Sequence, residues 1–231
     1  NMDLIFPGEW IKKNKISIWN SVPSAFDAMV KTNQVNTENL STVRLFNFCG
    51  ETLYSPQAKN LFVAVPNAEI QNTYGPTEAT VACKAIKFKA KDFNDYNHTS
   101  VEIGNDIPGV RTYVDNDELL ISGIQLADGY WLNDRATAES FFIREFESKH
   151  IRLYSTGDLV RIDDCGKTFF VERKDQQVKI RGHRVELGEV ITALRKMGHS
   201  ECCAALVDDA IVAFICDQGF DEVKIFLLHQ K

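Results

Sequence analysis

The alternation of short apolar runs with helix starts over the first third of the chain constrains its fold most. Ile16–Trp19 is a short strand-like run, and Pro23 follows it at the head of Ser24–Val30. Proline suits a helix's first turn, where its missing N–H would have no partner anyway, and apolar residues three and four apart then line one helical face. Val43–Phe48 is a second apolar run, Ser55 and Pro56 open a helix reaching about Val65, and Ala68–Gln71 reads as a third strand. Strands separated by helices pair in parallel, so this part reads as a layered α/β unit.

The pattern then changes. Between Thr80 and Val171 short apolar runs are broken by Gly, Asn and Asp: Val101–Ile103, Arg111–Val114, Glu118–Ser122 and Thr168–Glu172. These predict antiparallel strands and turns, with one helix over Thr137–Phe146. Past Asp175 a smaller unit is expected. VKIRGHRVE predicts a hairpin or loop, and Glu186 opens an amphipathic helix with Leu187, Val190, Ile191, Leu194 and Met197 on one face, stopped by Gly198. Cys203–Val207 and Ile211–Cys216 read as strands around a double-aspartate turn, and Phe220–Leu228 as a last helix.

At 231 residues, 44% hydrophobic and 25% charged, the chain has ample material for a core. The net charge of -6 disfavours a nucleic-acid partner that needs a basic face, and no apolar stretch is long enough to span a membrane. The six cysteines have no ligand-like spacing: Cys202 and Cys203 are adjacent, which suits neither a disulfide nor a zinc pair, and Cys49, Cys83, Cys165 and Cys216 read as small buried side chains, so reduced thiols and the cytoplasm are expected. The five histidines are scattered and form no hydrolase triad or metal cluster.

Three runs carry chemistry. In NTYGPTEAT, Asn72–Thr80, the Gly75–Pro76 turn can present an amide, a ring, a hydroxyl and a carboxylate to one cavity. Tyr74 suits stacking on a purine, Asn72 a base edge, Thr77 a phosphate oxygen, and Glu78 magnesium beside phosphate. A surface turn with ordinary capping residues accounts for the same run. In YSTGDLVR, Tyr154–Arg161, Gly157 relieves a turn beside Asp158, whose carboxylate suits two sugar hydroxyls or an Asx turn. Lys179, Arg181, His183 and Arg184, around Gly182, form a positive stripe that suits phosphate or simply solvent.

Taken together, NTYGPTE, YSTGDLV and KDQQVKIRGHRVELGEV closely resemble the adenylate-forming superfamily. The likeness is greatest to the amino-acid adenylation domains of nonribosomal peptide synthetases and their freestanding relatives. It covers nearly the whole chain, in the family's order and spacing. The resemblance implies a large domain of layered sheets with a β-barrel portion over residues 1–174, truncated N-terminally. A hinge at Asp175 would join it to a small mobile α+β domain over 176–231, truncated C-terminally. The implied reaction consumes ATP with Mg2+ to make an aminoacyl-adenylate, then passes the acyl group to the phosphopantetheine thiol of a carrier protein.

By the same resemblance, Asn72 contacts the adenine amino group, Tyr74 stacks on the ring, Thr77 touches the α-phosphate and Glu78 holds magnesium. Asp158 binds both ribose hydroxyls with help from Arg173, and Gly182 lies in the loop lining the thiol tunnel. The acyl pocket draws on Asn20, Asn47, Cys49, Thr73, Val81 and Ala82, a small or polar set that favours a small or polar amino acid. Two departures stand out: Ser155 takes the place of the usual arginine, and Glu172 that of a glycine. The family's phosphate loop and C-terminal lysine have no counterpart here, so the resemblance implies part of a longer enzyme and an isolated chain without activity. An acyl-CoA synthetase relative and a non-catalytic nucleotide-binding or interaction module are the alternatives.

Overall fold

In the computed structural model, which describes residues 7–146, 149–175, 177–180, 183–199, 201–207, 210–216 and 224–228, the chain forms two compact units, 1–172 and 173–231. The first unit opens with helix α1 (Pro7–Asn14), strand β1 (Ile18–Ser21), helix α2 (Pro23–Lys31), β2 (Leu45–Phe48), α3 (Ser55–Ala64) and β3 (Glu69–Tyr74). β1, β2 and β3 pair in parallel, as the helices between them require. β4 (Lys84–Phe88) and β5 (Asn105–Asp106) extend the same sheet antiparallel, giving the order β1-β2-β3-β4-β5.

Each crossover helix buries one stripe. Phe26 and Met29 of α2 and Leu61 and Phe62 of α3 share a core with Phe46, Phe48, Ile70, Phe88 and Phe93. Burying one such side chain stabilises the fold by roughly 1.5–3 kcal/mol. α3 starts with Pro56 in its first turn, and the Gln57 side chain accepts the Tyr54 N–H at 2.7 Å, so one end group that the helix leaves unpaired is satisfied.

The second sheet is antiparallel. β6 (Val110–Asp115), β7 (Glu118–Gly123), β8 (Phe141–Phe146), β9 (Lys149–Ile162) and β10 (Thr168–Arg173) assemble in the order β10-β9-β7-β6, with β8 also on β9. Its core holds Leu119, Ile121, Phe141, Tyr154 and Val160, and Tyr74 joins it. β3 therefore starts in one core with Ile70 and ends in the other with Tyr74.

β9 is irregular where it matters. Glu118 faces Leu159 and Leu120 faces Ser155, so two steps along β7 span four along β9. The surplus forms a bulge, with Gly157 at φ +69°, a conformation glycine adopts without a Cβ penalty. Because the surplus is even, Tyr154, Thr156, Asp158 and Val160 are all buried.

In the second unit, β11 (Gln177–Ile180) and β12 (His183–Glu186) form a two-stranded ladder. Helix α5 (Leu187–Lys196), numbered after α4 (Asp134–Ser140), buries Leu187 and Leu194, the latter against Ala213 and Ile215. β13 (Glu201–Val207), β14 (Ala210–Cys216) and β15 (Lys224–Leu228) form an antiparallel sheet.

Five local expectations are corrected. The helix predicted over Thr137–Phe146 is α4 followed by β8, because Phe141 and Ile143 pair with Tyr154 and Arg152 of β9. Of the helix predicted over Phe220–Leu228, the described part is β15, paired to β14. Val101–Ile103 forms no strand, although Val101 N–H donates to Leu53 O and Ile103 N–H to Thr168 O. YSTGDL is a bulged strand rather than a turn between strands, and Asn72–Tyr74 complete β3 before the Gly75–Pro76 turn.

Candidate functional site

The carboxyl ends of parallel strands are where an α/β sheet binds ligands, and the acyl-pocket residues named from the sequence gather there. Asn20 of β1 pairs in register with Asn47 of β2, and Asn47 with Gln71 of β3. Side chains alternate along a strand, so Asn20, Asn47, Gln71 and Thr73 share one face while Phe46 and Ile70 occupy the other. Thr73 donates its hydroxyl to Phe48 O at 2.8 Å. Asn47 Oδ1 is buried without a hydrogen-bond partner, a condition that costs about 1–3 kcal/mol and marks a place for a donor.

The segment after the turn forms a wall. Thr77–Ala79 makes one 3-10 turn, and Thr80 and Val81 then both adopt left-handed conformations, at φ +52° and +72°. For β-branched residues that is strained. Gln125 holds the strain in place: its Nε2 donates to Ala79 O and Ala82 O, each at 2.8 Å, while Thr80 Oγ1 donates to Gln125 O at 2.8 Å. Gly75 admits the wall, since a Cβ there would come within 2.7 Å of Val81 O. Cys49 Sγ lies 3.8 Å from Val81 O, so Cys49, Val81 and Ala82 belong to one neighbourhood.

Asn72 is buried and donates its amide to Glu102 O at 2.9 Å. Tyr74 donates its hydroxyl to Asp158 Oδ2, joining the middle of one motif to the middle of another. Burial first, and the Asp158 carboxylate second, hold the Tyr74 phenol well above its ordinary range. Asp158 itself is 2% exposed. Its own N–H donates to Thr156 Oγ1 at 2.9 Å, and Thr156 in turn donates to Leu119 O at 2.6 Å.

Glu78 is buried, and Tyr130 donates its hydroxyl to Glu78 Oε1 at 2.6 Å. Burial and then this carboxylate raise the Tyr130 phenol. The Tyr130 loop is itself tethered, with Arg152 donating to Ala127 O and Asp128 O at 2.8 Å each. Thr77 is exposed beside Glu78. Among the described residues no group of three or more His, Cys, Asp or Glu side chains gathers as a metal site. One carboxylate nevertheless fits Mg2+, which is commonly held by one or two protein carboxylates while substrate phosphates and water supply the rest.

The remaining residues stand differently. Arg173 forms a two-pronged ion pair with Asp175, Nε to Oδ1 at 2.7 Å and Nη2 to Oδ2 at 2.6 Å, and Asp175 Oδ1 also accepts Gln177 N–H at 3.0 Å. Gly182 lies outside the described residues. A groove of about 530 Å³ on the second sheet, lined by Val114, Asp117, Arg161 and Val171 among others, includes none of the nucleotide- or acyl-site residues named from the sequence. Sequence reasoning missed Gln71, Glu102, Gln125 and Tyr130. Only Gln71 carried a signal, its two-residue offset from Thr73; the other three reach the site from distant strands and loops.

The chain belongs to the AMP-binding enzyme family, whose profile matches residues 3–131. More particularly, it is similar to the D-alanine--D-alanyl carrier protein ligase of Staphylococcus epidermidis, 37% identical over 192 residues that make 83% of this chain and 38% of the relative. Its structure resembles the Vibrio cholerae adenylation domain AlmE, solved with glycyl-adenosine-5'-phosphate, at a TM-score of 0.81 and 27% identity over 93% of this chain and 44% of that one. An NRPS protein containing adenylation and PCP domains shares the fold at a TM-score of 0.78 and 23% identity, over 89% of this chain and 37% of that one. The chain thus spans 38% of the length of the curated ligase it matches.

Proposed function

We propose that this chain forms part of an ATP-dependent ligase that activates a small amino acid as its adenylate and transfers it to a carrier protein. The observation that supports this most is the Tyr74–Asp158 bond, which couples a candidate base-stacking ring to a candidate ribose ligand across 84 residues. The names of the similar proteins, a D-alanyl carrier protein ligase and a domain solved with a glycyl adenylate, favour a small acyl group. The short side chains of Cys49, Thr73 and Ala82 agree with it.

In this reading Asn72 meets the adenine edge, Tyr74 its face and Asp158 the ribose hydroxyls. The amino-acid carboxylate forms a bond to the α-phosphorus of ATP, and the bond from that phosphorus to the β-phosphate bridge breaks, releasing pyrophosphate. Thr77 donates to an α-phosphate oxygen as charge develops there. Glu78, oriented by Tyr130, would hold Mg2+, which when bound offsets the negative charge of the phosphates. The acyl carbon then bonds to a phosphopantetheine sulfur and AMP leaves. Asp175 acts as the hinge between the large and small domains, Arg173 assists at the ribose, and Gly182 lines the thiol path. Use of ATP and the free thiols of Cys49, Cys83, Cys165, Cys202 and Cys203 fit a cytoplasmic protein.

The test is ATP–pyrophosphate exchange by the full-length protein across a panel of amino acids and simple carboxylic acids. Stimulation by a small amino acid supports the reading, and none by any acid overturns it. Transfer to coenzyme A in preference to a carrier protein would favour an acyl-CoA synthetase instead.

A further inference from the structure

Asp158 owes its place to a bulge, and the bulge is held from β7. Glu118 is 8% exposed, an uncommon degree of burial for a carboxylate, which is normally retained only where donors satisfy it. The donors are on the bulge. Glu118 Oε1 accepts the Ser155 hydroxyl and also the Gly157 N–H at 3.0 Å. These two donors bracket Thr156, and Asp158 follows at once.

The ladder explains the need. Between Ser155 and Leu159 the regular pairing of β9 with β7 lapses, so backbone groups there lack their usual strand partner. The carboxylate supplies a charged acceptor for one of them, Gly157 N–H, while Thr156 links the bulge to Leu119 O and to Asp158 N–H. Hydrogen bonds to a charged acceptor are shorter and stronger than neutral ones, so this clamp is stiff. Ser155, one of the two residues that depart from the family pattern, is one of its two jaws.

We propose that Glu118 is a positioning residue which, through Ser155 and Gly157, fixes the bulge that aims Asp158 at the ribose hydroxyls of the nucleotide. The proposal rests on the reading of Asp158 as the ribose ligand. Glu118 touches no substrate; it acts on affinity by setting the direction of another carboxylate.

The experiment compares ATP with an analogue lacking both ribose hydroxyls, by calorimetric titration of the full-length protein. Wild type, Asp158→Ala, Glu118→Ala, Glu118→Gln and Ser155→Ala are measured, each first checked for cooperative unfolding. Wild type is expected to prefer ATP, and Asp158→Ala to abolish the preference. Glu118→Ala should narrow it by about tenfold, the scale of losing a hydrogen bond to a charged group. Glu118→Gln and Ser155→Ala should narrow it less, with affinity for the analogue unchanged throughout. General loosening of the fold would weaken both ligands alike and leave their ratio intact. A ratio unchanged in folded Glu118 and Ser155 variants, while Asp158→Ala abolishes it, overturns the positioning role alone. If wild type shows no preference, the ribose reading of Asp158 fails and the inference falls with it. Should Glu118→Ala not fold, the glutamine and Ser155 variants decide.

Discussion

The Tyr74 hydroxyl donates to Asp158 Oδ2 although the two residues are 84 positions apart. One lies at the end of a parallel strand and the other on a bulge in an antiparallel sheet, so the bond ties the two sheets of the first unit at the candidate nucleotide site. It predicts an alkaline signature. Below pH 10, the ordinary phenol value, Tyr74 is protonated folded or unfolded and contributes no pH dependence. Above it the unfolded chain releases the proton while the buried phenol keeps it, so stability falls as pH rises, by up to about 1.4 kcal/mol per pH unit for one group. Tyr96, raised to about 12 by burial, and Tyr130 add to the same decline. Urea unfolding from pH 8 to 11 should show the loss, and Tyr74→Phe should make it shallower. An identical slope in the variant would contradict the burial of this phenol.

Tyr130→Phe removes the hydroxyl that orients Glu78. Partners of a ligating group matter nearly as much as the group itself, so the Mg2+ concentration giving half-maximal pyrophosphate exchange should rise about tenfold. Amino-acid KM should change little. An unaltered Mg2+ requirement would remove Tyr130 from the site.

Gln125→Ala leaves the left-handed pair Thr80–Val81 without the amide that bonds Ala79 O and Ala82 O. The wall should relax, raising the amino-acid KM by about tenfold, the scale of two lost hydrogen bonds, and leaving the ATP KM nearly unchanged. Equal rises in both would mean that Gln125 supports the whole unit rather than this wall.

Burial pushes the Cys83 thiol up to about 12, and the side chain is 0% exposed. At pH 8 its reactive thiolate is scarce as well as inaccessible. A thiol reagent followed by peptide mass spectrometry should label exposed Cys165 and Cys203 first, and Cys83 only under denaturing conditions. Fast labelling of Cys83 in the folded protein would refute its placement.

Much of this was legible in the sequence for local reasons. Pro23 and Pro56 marked helix starts because proline's constraint acts within one turn, and the alternation around them implied a parallel sheet. The motif residues Asn72, Tyr74, Glu78 and Asp158 stood out because their chemical types suit a nucleotide. What failed depended on distant partners. Thr137–Ser140 and Phe141–Phe146 carry one continuous helical pattern, yet β9 claims the second half as a strand. The described part of the helix expected over Phe220–Leu228, Lys224–Leu228, failed in the same way, with β14 as the partner. Tyr130 was missed because its bond to Glu78 spans 52 residues, a separation at which no periodicity operates.

The bulge in β9 carries a last consequence, for how this strand can change in length over evolution. Four steps on β9 against two on β7 keep Tyr154 and Val160 on the same buried side. Losing or gaining one residue there would turn Val160 outward and reverse every later side chain. Losing two would restore a regular ladder and spare the core, but erase the platform under Asp158. Single-residue insertions and deletions are therefore closed to this segment on grounds of folding, and paired deletions by the ribose-binding role proposed for Asp158.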